Sequence, residues 1–210
     1  MLDLPEYTQL FVTLLAITNP VGKIPVFNAL AGHHSAGVKR RVALIAAVSV
    51  IGILLVSFFL GEIVLRLLGI TIPAFRIAGG ILLLLSALSM MSGADTGPAP
   101  TVASVPVADV THLAVVPLAI PLLAGPGAIS TVIVYAHRDS SLHHAFLVAT
   151  AVVSVGAVIL IILRLAPLLA SVLKRTGMNV AARITGLLIA ATAVEFIVDG
   201  LAQLFPGLLK

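Results

Sequence analysis

The hydrophobic positions of the chain fall into long runs separated by short polar turns. Runs with few or no charged residues occupy Val42–Leu60, Ala74–Met91, Ala145–Leu163 and Val180–Leu204. A helix of about 20 apolar residues crosses a hydrocarbon layer about 30 Å thick. The pattern therefore predicts four uninterrupted membrane-spanning helices, the last preceded by a polar turn at Lys174-Arg175-Thr176-Gly177.

Two further apolar segments are interrupted by proline and glycine. Tyr7–Leu30 contains the break Asn19-Pro20-Val21-Gly22-Lys23-Ile24-Pro25, and Leu113–Ala136 contains the break Gly125-Pro126-Gly127. Proline lacks a backbone N–H and glycine is a weak helix former, so each break frees polar backbone groups that lipid cannot satisfy. At a rise of about 1.5 Å per residue, the residues before the first break reach about halfway across the bilayer. The first break is therefore predicted near the midplane.

The six predicted spans divide into two sets of three that share a spacing. Arg76-Ile77-Ala78-Gly79 begins 56 residues after Pro20, and Arg183-Ile184-Thr185-Gly186 begins 57 residues after Pro126. Because three is an odd number of spans, the second set is inverted relative to the first. The sequence predicts an all-α membrane protein of six transmembrane helices, as two inverted-topology three-helix repeats with broken first and fourth spans. The repeats occupy residues 1–92 and 113–210, joined by a linker loop at 93–112.

Composition agrees with a membrane protein, and the charges give an orientation. Of the 210 residues, 60% are hydrophobic and 10% are charged, whereas a soluble domain carries about a quarter charged residues. The connections after spans one, three and five carry more lysine and arginine than the others. This bias predicts that they are cytoplasmic and that both termini are extracytoplasmic, in a cell (inner) membrane. The basic residues are too dispersed for a nucleic-acid surface, and the sequence does not determine the oligomeric state.

The residue types that support catalysis are poorly placed for it. No His-Glu-x-x-His motif occurs, no acidic pair accompanies a histidine in an apolar run, and cysteine is absent. We therefore expect no enzymatic activity, no metal and no cofactor. The histidines fall in predicted loops or at span boundaries, at His33, His34, His112, His137, His143 and His144.

Three ionisable residues lie inside apolar segments, where charge is costly and commonly functional. Lys23, in the first break, could bind an anionic group, pair with Glu195 or extend to the cytoplasmic face. Glu195, midway along the sixth span, is a candidate for proton coupling or for a structural pair with an arginine. Asp199 follows one turn later on the same face. It has the same two interpretations, or it lies at the outer interface.

The paired breaks form the candidate binding site. The helical piece after each break begins with free N–H groups at a positive dipole end, which suits a carboxylate. The piece before each break ends with free carbonyls, which suit an ammonium group, so a small zwitterion could bind between the breaks. Alternatively, the prolines and glycines only let the helices bend and pack closely. The predicted binding residues are Asn19, Pro20, Gly22, Gly125, Pro126, Gly127, Ser130 and Thr131.

The break sequences resemble those of a known family. Asn19–Phe27 follows the pattern N-P-x-G-x-x-P-x-F, and Val116–Thr131 reads VPLAIPLLAGPGAIST. Both resemble motifs of the MarC family of bacterial and archaeal inner-membrane proteins. The resemblance implies six spans and, for some members, transport of small neutral amino acids such as glycine and alanine.

These observations predict a secondary transporter of small neutral amino acids that works by alternating access around the two breaks. Coupling to H⁺ or Na⁺ is a further hypothesis that rests on Glu195 and Lys23. Two alternatives stay open: an exporter of another small metabolite or drug, and a non-transporting membrane protein of stress response or assembly. A pocket of glycine, alanine and serine in a chain without tryptophan argues against large aromatic substrates.

Overall fold

The computed structural model describes residues 4–31, 34–92, 123–139 and 141–206, and the regular elements within these ranges are all α-helices. The predicted linker loop at 93–112 and the first half of the predicted fourth span lie outside the described residues. The helices, numbered in chain order, are α1 (Leu4–Thr18), α2 (Ile24–Ala31), α3 (Ala36–Leu67), α4 (Ile72–Ser92), α5 (Pro126–Ala136), α6 (Leu142–Arg164) and α7 (Ala166–Leu204).

Four helical segments are long and apolar enough to cross a membrane, which confirms the four uninterrupted spans. They are Ala36–Leu67, Ile72–Ser92, Leu142–Arg164 and Ala182–Leu204. Many large apolar side chains on these helices face outward, among them Val56 and Phe59. In water such a surface would aggregate, whereas in a bilayer it contacts lipid. The chain is therefore a multi-pass integral membrane protein.

The polar turn predicted at Lys174–Gly177 is wrong, because α7 runs without interruption from Ala166 to Leu204. Lysine and arginine are good helix formers, and a single glycine costs a helix only about 1 kcal/mol relative to alanine. The basic cluster Lys39-Arg40-Arg41 is helical for the same reason and lies in the first turns of α3. Polar residues alone did not end these helices.

The first predicted break is confirmed, and the second lies at a helix start. Helix α1 ends at Thr18 and α2 begins at Ile24, so the five residues between them separate two short helices. Helix α5 begins at Pro126, directly after Gly125. Helices α1 and α5 thus each place one end at a break, inside the bundle.

The helices pack in a small number of pairs. Helix α4 lies along α7, α3 packs against α6 and α5, α1 packs against α6, and α4 also contacts α5. Glycine allows the close approach of α4 and α7: a Cβ added at Gly80 would lie 2.9 Å from the carbonyl oxygen of Ala193. A Cβ added at Gly186 would lie 3.0 Å from the carbonyl oxygen of Ala87. These two glycines therefore let the backbones of α4 and α7 pack closely.

The larger apolar core lies between α1, α2, α3, α5 and α6. Leu10 and Leu14 of α1, Phe27 of α2, Leu54 of α3 and Ile159 of α6 have almost no exposed surface. A smaller core joins α4 to α7. The two breaks lie where these cores meet, since Ile17 of α1 packs against both of them.

Candidate functional site

A tight turn at Asn19 fixes the geometry of the first break. Asn19 has a positive φ of 40°, in the left-handed region that asparagine tolerates better than most residues. Its side-chain Oδ1 accepts a hydrogen bond from the backbone N–H of Gly22 at 3.2 Å. A Cβ at Gly22 would approach the Asn19 amide closer than 3.0 Å. The two residues therefore form one unit that holds α1 and α2 apart.

The second break presents the start of α5 with no side-chain cap. Gly125 is extended, with φ −71° and ψ 172°. Because glycine has no side chain, it has no side-chain group to accept a hydrogen bond from the N–H groups of the first turn. Pro126 is the first residue of the helix and has no N–H, as suits that position. The next N–H groups, of Gly127 and Ala128, belong to the first turn of a helix and lack intrahelical partners. Of these two residues, Gly127 lines the cavity described below, whereas Ala128 has no exposed surface.

One cavity of about 380 Å³ adjoins both breaks. Lys23 from the first break and Gly125, Pro126 and Gly127 from the second break all line it. The remaining wall comes from three other helices and is mostly apolar, with two hydroxyl groups. Those lining residues are Ile17, Leu83, Leu85, Ser86, Ser89, Met90 and Ile189.

Gly127 is closely packed at this cavity. A Cβ at Gly127 would come closer than 3.0 Å to the side chain of Leu83 on α4. Ile17 at the end of α1 is the next nearest side chain. Gly127 therefore lets the start of α5, the end of α1 and the middle of α4 meet around the cavity.

Five of the predicted binding residues do not line this cavity: Asn19, Pro20, Gly22, Ser130 and Thr131. The hydroxyl groups of Ser130 and Thr131 donate to the carbonyl oxygen of Gly127, at 3.0 Å and 2.8 Å, and both residues are buried. Pro20 is also buried, and the Asn19 amide contacts Met90, with Nδ2 4.0 Å from its Sδ. These residues support the walls of the cavity, while Lys23 and the Gly125–Gly127 segment face it.

Glu195 and Asp199 of α7 lie elsewhere. Glu195 is exposed and does not line the cavity. The Asp199 carboxylate accepts from the Arg76 guanidinium at 3.3 Å, which is the arginine pair considered from the sequence. Arg76 is buried and lies 5.9 Å from the ring centroid of Phe196. This pair links the start of α4 to the end of α7.

Sequence reasoning missed His144, which was predicted to be an interfacial loop residue. It is the third residue of α6 and has 1% of its surface exposed. Its Nδ1 is 2.9 Å from the Tyr7 hydroxyl, and its Nε2 is 2.8 Å from the Tyr135 carbonyl oxygen. Ser141 could have signalled this position, because a serine three residues earlier is a common helix cap. Its Oγ accepts from the His144 N–H at 3.2 Å.

The loop before α6 carries a carboxylate with a lowered pKa. Asp139 accepts hydrogen bonds from the backbone N–H and from the hydroxyl of Ser141, each at 2.9 Å. These bonds favour the charged form, so they hold the pKa of Asp139 below its ordinary value. Asp139 therefore stays ionised throughout the physiological pH range.

Comparison with known proteins establishes the family. The MarC family of integral membrane proteins matches residues 4–205. The UPF0056 membrane protein YhcE of Escherichia coli (strain K12) is 43% identical, covering 99% of this chain and 97% of the relative. UPF0056 membrane proteins of Aquifex aeolicus and Pyrococcus abyssi are 38% and 35% identical, covering 94% and 96% of this chain and 93% and 97% of the relatives. No solved structure matches the chain. The chain therefore belongs to the MarC family of integral membrane proteins.

Proposed function

We propose that this protein is a secondary transporter of small neutral amino acids, with glycine and alanine as the first candidates. The observation that carries the proposal is that one cavity is lined both by Lys23 from the first break and by Gly125–Gly127 from the second. Broken helices that meet at a shared cavity inside an apolar bundle are typical of transporter binding sites. We infer no enzymatic activity and no cofactor.

The chemistry of the cavity suits a zwitterion. The Gly127 N–H at the start of α5 and the Lys23 ammonium would bind the carboxylate. The last carbonyls of α1, beside Ile17, lack intrahelical partners and would accept from the substrate ammonium. Ile17, Leu83 and Met90 form apolar walls, which favour a side chain no larger than a few carbons. The substrate partner is thus a small molecule, bound within the lipid bilayer.

The helix pairs support the proposed inverted repeat. Exchange of the first three spans for the last three turns the α1–α6 pair into the α5–α3 pair, and both pairs are in contact. The same exchange leaves the α3–α6 and α4–α7 pairs unchanged. An inverted repeat lets one half rock against the other around a fixed site, which is the basis of alternating access.

The loop charges support an orientation for this transporter. We propose that it lies in the cell (inner) membrane with both termini outside, since the first turns of α3, which follow the connection after α2, carry the densest basic cluster. The coupling ion would be H⁺ or Na⁺. Lys23 remains a candidate coupling residue through its place in the cavity, and Glu195 through its position in the last span.

Flux in reconstituted proteoliposomes tests the proposal. Vesicles loaded with unlabelled glycine or alanine should accumulate the labelled amino acid by exchange, above vesicles that contain no protein. A thermal-shift series over amino acids and drugs should show stabilisation by small zwitterions only. Absence of glycine and alanine flux under every ion gradient would exclude the proposed function. Stabilisation by a drug alone would favour the exporter alternative.

A further inference from the structure

His144 joins three helices at the end of the bundle away from the cavity. It lies on α6, its Nδ1 meets the Tyr7 hydroxyl of α1 at 2.9 Å, and its Nε2 meets the Tyr135 carbonyl of α5 at 2.8 Å. Tyr135 is nine residues along α5 from Pro126, so the contact lies roughly 14 Å from the cavity edge. We call these three residues the His144 joint.

The partners of His144 determine where its proton lies. A carbonyl oxygen only accepts, so Nε2 must carry the hydrogen that is donated to Tyr135. In the neutral ring Nδ1 is then bare, and it accepts from the Tyr7 hydroxyl. This arrangement satisfies both ring nitrogens of a fully buried histidine. It requires the neutral ring.

Protonation of His144 would disrupt this arrangement. The new Nδ1–H can only donate, so the Tyr7 hydroxyl must turn its own hydrogen away from the ring. The positive charge would also lie among apolar groups, including the Phe58 ring, whose centroid is 6.2 Å away, and the buried Val148. A charge buried among apolar groups without an ion-pair contact is costly, and the Asp139 carboxylate offsets this only by a longer-range attraction. The protonated joint would therefore favour a state in which α1 moves away from α6 and water reaches the ring.

The surrounding charged groups could modulate this change. On α1, Glu6 precedes Tyr7, and its Oε2 is buried with no hydrogen-bond partner among the described residues. The Glu62 carboxylate of α3 already pairs with Arg66 and with His137, and Arg138 lies over the Tyr135 ring at 4.3 Å. Among the described residues, the titratable or charged groups near the joint are Glu6, Tyr7, Glu62, Arg66, Arg76, Tyr135, His137, Arg138, Asp139 and His143.

We propose that His144 is the proton-binding site that couples a pH gradient to transport. Protonation from the aqueous phase at the joint's end of the bundle moves α1 away from α6. Release of that proton lets the two helices pack together again. The inference rests on the proposed transport function and names its coupling ion and the residue that binds it. It places coupling at the joint and away from Glu195, which is exposed on α7.

The transport test uses His144→Gln, because glutamine can keep both hydrogen bonds without titrating. Its amide nitrogen can donate to Tyr135, and its amide oxygen can accept from Tyr7. Proteoliposomes that contain this variant should exchange glycine at equal pH on both sides within twofold of the wild type. Accumulation driven by a pH gradient should fall at least tenfold. His143→Gln and His137→Gln alter exposed neighbouring histidines and should retain gradient-driven accumulation.

The outcomes separate the two proposals. If the wild-type protein shows no exchange at all, the transport function fails. If exchange persists and His144→Gln still accumulates glycine in a pH gradient as the wild type does, the coupling role of His144 is wrong while transport stands. The same conclusion follows if the His143→Gln control loses coupling to the same extent.

A second test needs no transport. The chain has no cysteine, so Val148→Cys introduces a single thiol that is buried one turn beyond His144. Maleimide labelling of this thiol should be several-fold greater at pH 5, relative to the same thiol in a Val148→Cys/His144→Gln double variant at the same pH. Asp139 cannot supply this change, because its lowered pKa keeps it ionised in that range. Equal labelling of the two variants at pH 5 would overturn the proposal.

Discussion

Lys23 and Gly127, which come from opposite halves of the chain, line the same cavity. Neither residue would be there if the helices were continuous: Lys23 lies in the gap between α1 and α2, and Gly127 lies in the first turn of α5. The two breaks therefore contribute to one cavity, to which the first gives the Lys23 side chain and the second gives the start of α5.

Substitution of Gly127 by alanine should reduce transport strongly. The added Cβ would overlap the Leu83 side chain and force α5 away from α4. We expect glycine exchange to fall at least tenfold, and overpacking of this kind costs about 1–3 kcal/mol of stability. Gly52→Ala is the matched control, because a Cβ at Gly52 would meet nothing within 4 Å. Wild-type exchange by Gly127→Ala would contradict the close-packed site.

Substitution of Lys23 by methionine should weaken substrate binding. The ammonium group would provide one charge-assisted contact to the substrate carboxylate, worth about 1.5–3 kcal/mol. The corresponding rise in Kd is about tenfold or more, and thermal-shift titration with glycine measures it. Lys39→Met, on the basic first turns of α3, serves as the control. Unchanged affinity in Lys23→Met would remove Lys23 from the binding site.

The Asn19 turn predicts an order among substitutions. Asn19→Gly keeps the positive φ without strain but loses the bond to the Gly22 N–H. Asn19→Ala loses the bond and also holds a Cβ in the left-handed region, which costs a further 1–2 kcal/mol or so. Thermal unfolding in detergent should rank the stability as wild type, then Asn19→Gly, then Asn19→Ala. A more stable alanine variant would show that the turn is not as described.

Replacement of Glu195 should leave pH-driven uptake unchanged. The residue is exposed on α7 and lines neither the cavity nor the His144 joint. Glu195→Gln in proteoliposomes should therefore accumulate glycine in a pH gradient within twofold of the wild type. Loss of gradient-driven accumulation, with exchange preserved, would return the coupling role to Glu195.

Local sequence signals predicted the spans and the breaks but not which side chains face the cavity. Apolar runs predicted α3, α4 and α6, because lipid favours a continuous helix over any other backbone. Proline and glycine predicted where α1 ends and α5 begins. The hydroxyl groups of Ser130 and Thr131 face the backbone of their own helix, and His144 lies inside the bundle. Both facts depend on the rotation of helices about their axes, which is decided by packing between distant segments.

The uninterrupted length of α7 has a mechanical consequence. Its 39 residues make a rod about 58 Å long, nearly twice the roughly 30 Å thickness of the hydrocarbon layer. Part of this rod must project into the aqueous phase or lie steeply tilted in the membrane. A small change of tilt where α7 packs on α4 would produce a larger displacement at the projecting end of the helix. A distance probe attached there would therefore follow the transport cycle from outside the bilayer.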